Sequence, residues 1–373
     1  MRNIEFKAYA VNPELLPGAL DRLGARLERT YSETDTYFNT RSSRLKYRSG
    51  SDRLPRLIAY ERTDNAKARE SRLQLAECQD QDDLLKQILV DNLGISTVVT
   101  KTRSVYRANG WLANVDVVEG ANFVEVEVFD EGNGIDSTQR VSRELMHALG
   151  VRDFDLVPWS YEILHTMLRQ SREYQKQLGN NLHKLILIDG ASGAGKSSVA
   201  AALRETVPNV AYVHRRTTRP PRGEASEQHE YIFVTQDEFA RDVAAGEYLE
   251  SKNFLFGMSY GLHWHDVTAA LTAPTNAAAF GLINLGTIAH VREVAPSATT
   301  ILLTADEATI RRRLLSRRAH SDDALQERLE NARRATQVAD RYTHVIENHD
   351  GELDKVVNEV RRIVEDVANG ADT

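Results

Sequence analysis

The sequence predicts two domains of different class: an α+β domain built on a closed antiparallel β-barrel, followed by an α/β domain with a parallel sheet. Three observations carry this. The chain has 373 residues, more than the about 250 to 300 at which single cores stop growing. Between residues 30 and 130, charged and apolar residues alternate with the period of two that belongs to strands. Beyond residue 183, short apolar runs alternate with helical patterns, and the glycine-rich stretch GASGAGKSS follows the first of those runs.

Residues 3–10 read as the first strand. Asn12, Pro13 and Glu14 then supply an N-cap, a first-turn proline and an acidic first turn, which predicts a helix to about Leu27. The period-two region is interrupted once, near 80–93, by the helical pattern DQDDLLKQILVDNLG, and helical patterns return at 138–148 and 158–178. The polar stretch SREYQKQLGNN predicts a boundary, giving domains over 1–170 and 183–373 with a linker over 171–182. HKLILID is the next strand, followed by the glycine loop and a helix. AYVHR, a capping box from Thr235 to Glu238, AAAFGLINL, TTILLTA, THVIEN and a last helix from about 351 complete the alternation. No repeat relates the two halves.

Composition narrows the function classes. With 41% apolar and 27% charged residues the chain is an ordinary globular protein. A formal charge of −7 argues against bulk binding of nucleic acid or anionic membrane, while leaving room for local basic pockets. Cys78 is the sole cysteine, so neither an internal disulfide nor a cysteine-rich zinc site can form. RNIEFKAYA after Met1 lacks the apolar core of a signal peptide, and no run approaches the about 18 apolar residues of a membrane span. The expectation is a cytoplasmic protein, with a homodimer allowed. His263 and His265, two apart in GLHWHD, have no third ligand nearby and do not predict zinc.

Gly190, Ala191, Ser192, Gly193, Ala194, Gly195, Lys196, Ser197 and Ser198 match G-x-x-x-x-G-K-[ST] without a gap, between a strand and a helix. Backbone N–H groups of such a loop surround the phosphates of ATP. Lys196 reaches the outer phosphates, and the Ser197 hydroxyl ligates Mg²⁺. Downstream, RRTTRPPR, GE, EYIF, EYLES and SYG occur in that order, and over 183–368 the chain resembles guanylate kinases. The resemblance implies a P-loop kinase with a lid. In it Arg219 and Arg222 hold the acceptor phosphate, Tyr231 and Tyr260 add phenolic donors, and Glu250 accepts from a guanine edge. Within IRRRLLSRR and beyond, Arg313, Arg317 and Arg328 are the lid cations, which with Lys196 carry catalysis by neutralising charge. The family pattern has serine at Arg215, aspartate at Asn284 and serine at Leu262. These departures leave phosphate binding intact and alter base reading, with Asn284 still at the acceptor. VHRRTTRP and INLG also resemble ribose 1,5-bisphosphate phosphokinases.

In the first half, Arg44, Lys46 and Arg48 share one strand face in RLKYR, as do Glu125 and Glu127 in VEVEV, Glu5 and Lys7 in IEFK, and Lys101 and Arg103 in TKTRS. The pattern alone allows a half-buried sheet with its charges in water. It equally allows a barrel with a charged interior, offering cations to polyphosphate and carboxylates to a hard divalent metal. With TDTYF, RLKYR, LIAYER, TKTRSVY, VDVVEG, FVEVEV and SYEIL in order over 2–168, this half resembles CYTH proteins, the triphosphate-tunnel group of class IV adenylate cyclases and triphosphatases. That resemblance implies that Lys7, Arg44, Lys46, Arg48, Arg62, Lys101 and Arg103 bind triphosphate. It implies too that Glu5, Glu125 and Glu127, with Asp116, hold Mg²⁺ or Mn²⁺. Asn3 stands where the signature has its first glutamate, and Leu112 and Asn114 also depart from one branch.

The expected function is therefore bifunctional. The second domain phosphorylates a nucleoside monophosphate from ATP, with GMP or dGMP first and ribose 1,5-bisphosphate the alternative. The first hydrolyses or cyclises a triphosphate, or binds one as a sensor that regulates the kinase. The expected partners are nucleotides and polyphosphates.

Overall fold

The computed structural model describes residues 3–41, 43–51, 54–61, 72–79, 83–130, 132, 134–221, 223, 227, 229–253, 257–316 and 322–370. The chain divides into two compact units, Met1–Thr166 and Met167–Thr373.

The first unit carries strands β1 (Asn3–Tyr9), β2 (Arg26–Phe38), β3 (Arg44–Gly50), β4 (Arg56–Glu61), β5 (Arg72–Glu77), β6 (Ile95–Ala108), β7 (Trp111–Val118) and β8 (Ala121–Phe129). They form one antiparallel sheet in the order β1-β8-β7-β6-β2-β3-β4-β5. The expectation of a closed barrel is corrected in one respect: among the described residues no ladder joins β5 back to β1. β5 is short, and its residues from Gln74 to Glu77 are exposed, so it ends the sheet as an edge.

Period two decides what each face does. Phe6 and Ala8 of β1, Trp111 and Ala113 of β7, and Val124, Val126 and Val128 of β8 form one apolar face. Leu16, Ala19 and Leu20 of α1 (Leu16–Arg22) and Leu145 and Met146 of α3 (Ile135–Ala148) cover it. Farther along the sheet, Phe38, Tyr47 and Cys78 pack with Leu85 and Leu89 of α2 (Leu84–Leu93). The helices thus sit on the apolar face and leave the charged residues on the other. Helix α1 ends at Arg22, short of the expected Leu27, because Gly24 takes φ +79°, a conformation that terminates helices and suits glycine.

Helix α4 (Tyr161–Leu178) absorbs most of the expected linker. Tyr174 stacks on Trp264 at 5.2 Å, and its hydroxyl donates to Glu247 at 2.5 Å, so this polar stretch is a packed part of the second unit. Its polar residues mark one exposed helix face, and in sequence that composition looks like a loop.

The second unit has a parallel sheet in the order β10-β15-β9-β16-β17, built from β9 (Leu185–Gly190), β10 (Val210–Val213), β15 (Ala278–Leu282), β16 (Thr299–Thr304) and β17 (His344–Glu347). Ile188, Phe280, Leu282, Ile301 and Leu303 are its core. Val199 and Leu203 of α5 (Lys196–Thr206) and Val356, Val360 and Val364 of α11 (Leu353–Ala368) pack against them. A second sheet runs β12-β11-β14-β13, from β11 (Arg215–Thr217), β12 (Tyr231–Phe233), β13 (Tyr248–Asn253) and β14 (Ser259–His263). The expected single strand AYVHR is thus divided at His214 between the two sheets. Helices α6 (Gln236–Ala244), α7 (Trp264–Thr272), α8 (Ile288–Val294), α9 (Glu307–Ser316) and α10 (Asp322–Gln337) complete the unit. The capping box at α6 is present, with Glu238 N donating to Thr235 Oγ1 at 3.2 Å and Thr235 N to Glu238 Oε2 at 2.8 Å. His263 caps α7, its Nδ1 accepting from His265 N at 3.1 Å.

Candidate functional site

The glycine loop joins the central strand β9 to α5, so its N–H groups lie at a helix N-terminus, where anions are favoured. Gly195 takes φ +103° against the side chain of Asn348, where a Cβ has no room. Asn348 in turn donates to Ala194 O at 2.8 Å. Lys196 folds back over the loop and donates to Gly190 O and, at 3.2 Å, to Ala191 O. Ser197 is exposed on the first turn of α5. A solvent-facing hydroxyl beside a phosphate loop is the donor that Mg²⁺ needs there, so this position fits the metal. Beneath the loop, Asp189 is fully buried and accepts from Gly190 N and from Tyr342 Oη, both at 2.6 Å. Burial raises its pKa, while the Lys196 charge and these hydrogen bonds oppose the rise.

Two lid cations reach the loop. Arg313 of α9 donates to Gly193 O at 3.2 Å and to Asn348 O at 3.2 Å, and Arg328 of α10 donates to Ser192 Oγ at 3.3 Å. Arg317, like Arg222 of the acceptor set and Arg62 of the first unit, lies outside the described residues.

The acceptor residues converge on the second sheet. Tyr231 and Tyr260 meet edge to face at 5.9 Å. Arg219 lies over Tyr231 at 5.4 Å, is bonded to Glu227, and donates to Pro220 O at 3.1 Å. Glu250 is wholly buried, and burial pushes its pKa up to about 7 against the hydrogen bonds it receives. Those bonds come from Asn284, whose Nδ2 donates to the two carboxyl oxygens at 3.1 and 3.0 Å and whose backbone N adds a third at 3.3 Å. The carboxylate expected to face a guanine edge is therefore capped by the residue that replaces the family aspartate. Arg215 bridges both halves of the site, donating to Tyr231 Oη at 3.0 Å and to Asn284 Oδ1 at 3.3 Å.

In the first unit Lys7, Glu33, Asp35, Lys46, Lys101, Arg103, Asp116 and Glu125 are buried and Glu5, Arg44, Arg48 and Glu127 half-buried, so the alternative of a sheet with its charges in water falls. Asp116, Asp35 and Lys101 are 0%, 1% and 2% exposed. Among the described residues each predicted cation has an anionic partner. Lys46 donates to Asp35 at 2.8 Å, and Arg48 grips the same carboxylate at 2.6 and 2.8 Å. Lys101 lies 2.8 Å from Glu33, and Lys7 lies 3.3 Å from Glu125. Arg103 holds Asp116 at 2.7 and 2.6 Å and Glu125 at 3.0 Å. Arg44 pairs with Glu162 at 3.6 Å. Lys7 and Lys101 stand over the Tyr161 ring at 3.8 and 4.6 Å, and the Tyr161 hydroxyl donates to Asp116 at 2.6 Å. Burial brings Lys46 down to about 7, aided by Arg48. Burial works against Asp35's ionisation, yet Lys46, Lys101 and Arg48 hold its carboxyl well below the usual range.

Glu33, Asp35 and Tyr161 were not among the expected site residues. Their signal was present, since Glu33 and Asp35 share a face of β2 two residues apart. A cavity of about 170 Å³ opens beside this network. Arg29, Arg56 and Arg107 line it with Arg48 and Arg103, as do the departures Leu112 and Asn114. Sequence reasoning missed Arg29, Arg56 and Arg107, although Arg107 continues the face of Arg103 on β6.

The expected metal ligands are a correction. Glu5 pairs in register with Glu127, and burial, then Glu125 and Glu5, push Glu127 up to about 7. Glu127 also accepts from Asn3 at 3.2 Å. Among the described residues, however, no three His, Cys, Asp or Glu side chains gather as a ligand set. Asp116 and Glu125 are spent on Arg103 and Lys7 instead. As arranged, these residues do not fit a metal ion.

A phosphate loop under a cationic lid, beside a sheet carrying arginines and tyrosines, defines a P-loop nucleotide kinase. Residues 182–367 match the family model described as guanylate kinase, and residues 1–161 match that of the CYTH domain. The guanylate kinase of Rubrobacter xylanophilus is 34% identical over 184 residues, covering 48% of this chain and 95% of that protein. That of Frankia casuarinae is 36% identical over 169 residues, covering 44% and 89%. Among solved structures, the guanylate kinase of Anaplasma phagocytophilum aligns at 20% identity and TM-score 0.38, covering 48% of this chain and 84% of that one. A protein of Pyrococcus horikoshii OT3 aligns at 22% identity and TM-score 0.39, covering 43% and 97%. The chain belongs to the guanylate kinase family through its second unit, with a CYTH domain ahead of it. Among the described residues no helix is long and apolar enough to cross a membrane.

Proposed function

We propose that the second unit transfers the γ-phosphoryl group of ATP to GMP or dGMP. An acceptor phosphate oxygen forms the new P–O bond, the bond from the γ-phosphorus to the β,γ-bridging oxygen breaks, and ADP leaves with the nucleoside diphosphate. The observation that carries this reading is the convergence of Lys196, Arg313 and Arg328 on one phosphate loop. Fixed cations there neutralise charge on the transferring group, which is most of what such catalysis requires. Arg219, Tyr231 and Tyr260 present donors to the acceptor phosphate. Mg²⁺, held at Ser197, supplies further neutralisation of the phosphate charge when bound. Lys196→Ala should abolish ATP-dependent conversion of GMP in a coupled assay while leaving the thermal transition in place. Conversion at the parent rate would remove the assignment of the loop.

The first unit, on this proposal, binds a triphosphate through Arg48, Arg103 and the arginines of the neighbouring cavity. Binding without turnover is favoured over hydrolysis or cyclisation because Asp116 and Glu125 are already committed to Arg103. The full chain carrying Lys196→Ala, mixed with inorganic triphosphate and Mn²⁺ or Mg²⁺, tests this. Binding by calorimetry without phosphate release is expected, and steady metal-dependent release would restore the catalytic reading.

A further inference from the structure

We infer that Arg215 is the base-reading residue of the acceptor site, and that the site accepts 6-oxopurine monophosphates as a class without singling out guanine. This rests on the second unit being a nucleoside monophosphate kinase. Two observations lead to it. Glu250, the carboxylate that the resemblance to guanylate kinases assigns to the guanine edge, is wholly buried, and Asn284 already donates to each of its oxygens. The acceptor that tells guanine from hypoxanthine is thereby capped. Arg215 is in the opposite state. It stands 5.3 Å from the ring centres of both Tyr231 and Tyr260, the pair beside the acceptor phosphate. It spends one N–H on Tyr231 Oη and one on Asn284 Oδ1. Its Nε is buried with no hydrogen-bond partner among the described residues. Glu250 acts on Arg215 through its charge alone, without an ion-pair contact among the described residues.

A half-buried guanidinium with unspent donors calls for adjacent acceptors. O6 and N7 are such a pair on guanine and on hypoxanthine, and an arginine fork suits them. Adenine has a donor amine at the same place, which opposes the arginine N–H groups and leaves them unpaired, at a cost of about a hundredfold or more in kcat/KM. With three of its hydrogen-bonding positions taken by Asn284, Glu250 is withdrawn as the acceptor for the 2-amino group that separates GMP from IMP. Asn284 couples the two ends of the site: its amide oxygen holds Arg215 toward the base, and its amide nitrogen keeps Glu250 out of the reading.

The test is kcat/KM of the full chain, with ATP, for GMP, IMP, AMP and 2-aminopurine riboside monophosphate, which keeps the 2-amino group and N7 but lacks O6. IMP should fall within about tenfold of GMP, and AMP and the 2-aminopurine nucleotide about a hundredfold below. Arg215→Met should bring GMP and AMP within about tenfold of each other, mainly by raising KM for GMP. Arg215→Lys should keep part of the preference, because a single ammonium can still donate to O6. GMP accepted with IMP a hundredfold worse, or the 2-aminopurine nucleotide matching GMP, would overturn the role of Arg215 and return base reading to Glu250, with the kinase assignment intact. Failure of the parent chain to phosphorylate GMP at all would overturn the kinase proposal, and this inference with it. The wild-type comparison of nucleotides decides the matter even if Arg215→Met does not fold.

Discussion

Replacing Asp35 by Asn removes one charge at the centre of the buried network and little volume. The carboxylate is 1% exposed, accepts from Lys46 at 2.8 Å and from Arg48 at 2.6 and 2.8 Å, and lies 3.7 Å from Lys101. Taking one partner from a buried ion pair typically costs about 3–5 kcal/mol, because the remaining charge is left uncompensated. The amide still accepts one hydrogen bond, so the low end of that range, about 3 kcal/mol, is expected at neutral pH. For a unit of this size that corresponds to a fall of about 6–12 °C in Tm. The folded pKa of Asp35 lies below its unfolded value, so its contribution is present above the unfolded pKa and lost as pH falls through the folded one. The difference between variant and parent should therefore shrink in strong acid. Differential scanning calorimetry of the full chain, with and without inorganic triphosphate, is the assay. Triphosphate should stabilise Asp35→Asn more than the parent, because phosphate oxygens then replace the lost anion beside Lys46, Arg48 and Lys101. An unchanged Tm at pH 7 would refute the ion-pair argument, and equal stabilisation by triphosphate would refute these cations as its ligands.

Arg328→Ala should lower kcat by about tenfold to a hundredfold with a smaller effect on the KM of GMP, since its cation approaches the loop at Ser192 and acts on developing charge; steady-state kinetics with unchanged kcat would remove it from the lid. Glu250 is pushed up to about 7, so its protonated form stabilises the fold below the unfolded pKa, and that contribution fades as pH rises through 7. The unfolding free energy of the second unit, read from denaturant titrations, should thus fall between pH 5 and pH 8 by on the order of 2 kcal/mol, and Glu250→Gln should flatten the slope. Ile188→Ala, at a fully buried position on the strand that delivers the phosphate loop, should cost about 2–5 kcal/mol by urea unfolding, with little loss of kcat in the molecules that remain folded.

By itself the sequence determined everything that depends on local order along the chain. The phosphate loop needs its glycines, lysine and serine at fixed spacing between a strand and a helix, and all of those are contiguous from Leu185 to Thr206. Period two determined that Arg44, Lys46 and Arg48 share a face, as do Glu125 and Glu127, because side chains alternate across a strand. Tertiary structure decided which face met solvent and who partnered whom. Pattern cannot say whether a charged face is wet. α1, α2 and α3 settled that by covering the apolar side. Nor can it say that Asp35 on β2 neutralises Lys46 and Arg48 on β3, or that Arg103 on β6 claims Asp116 and Glu125 from two further strands, since those pairings depend on register between distant segments. The acceptor site shows the same division. Arg215 and Asn284 were visible as altered residues 69 positions apart. Only the packing of the two sheets brought them together, with the amide of Asn284 closing over Glu250 and the guanidinium of Arg215 left with donors to spare. Electrostatic and hydrogen-bond complementarity acts at contact distance, and contact between remote residues exists only once the chain has folded.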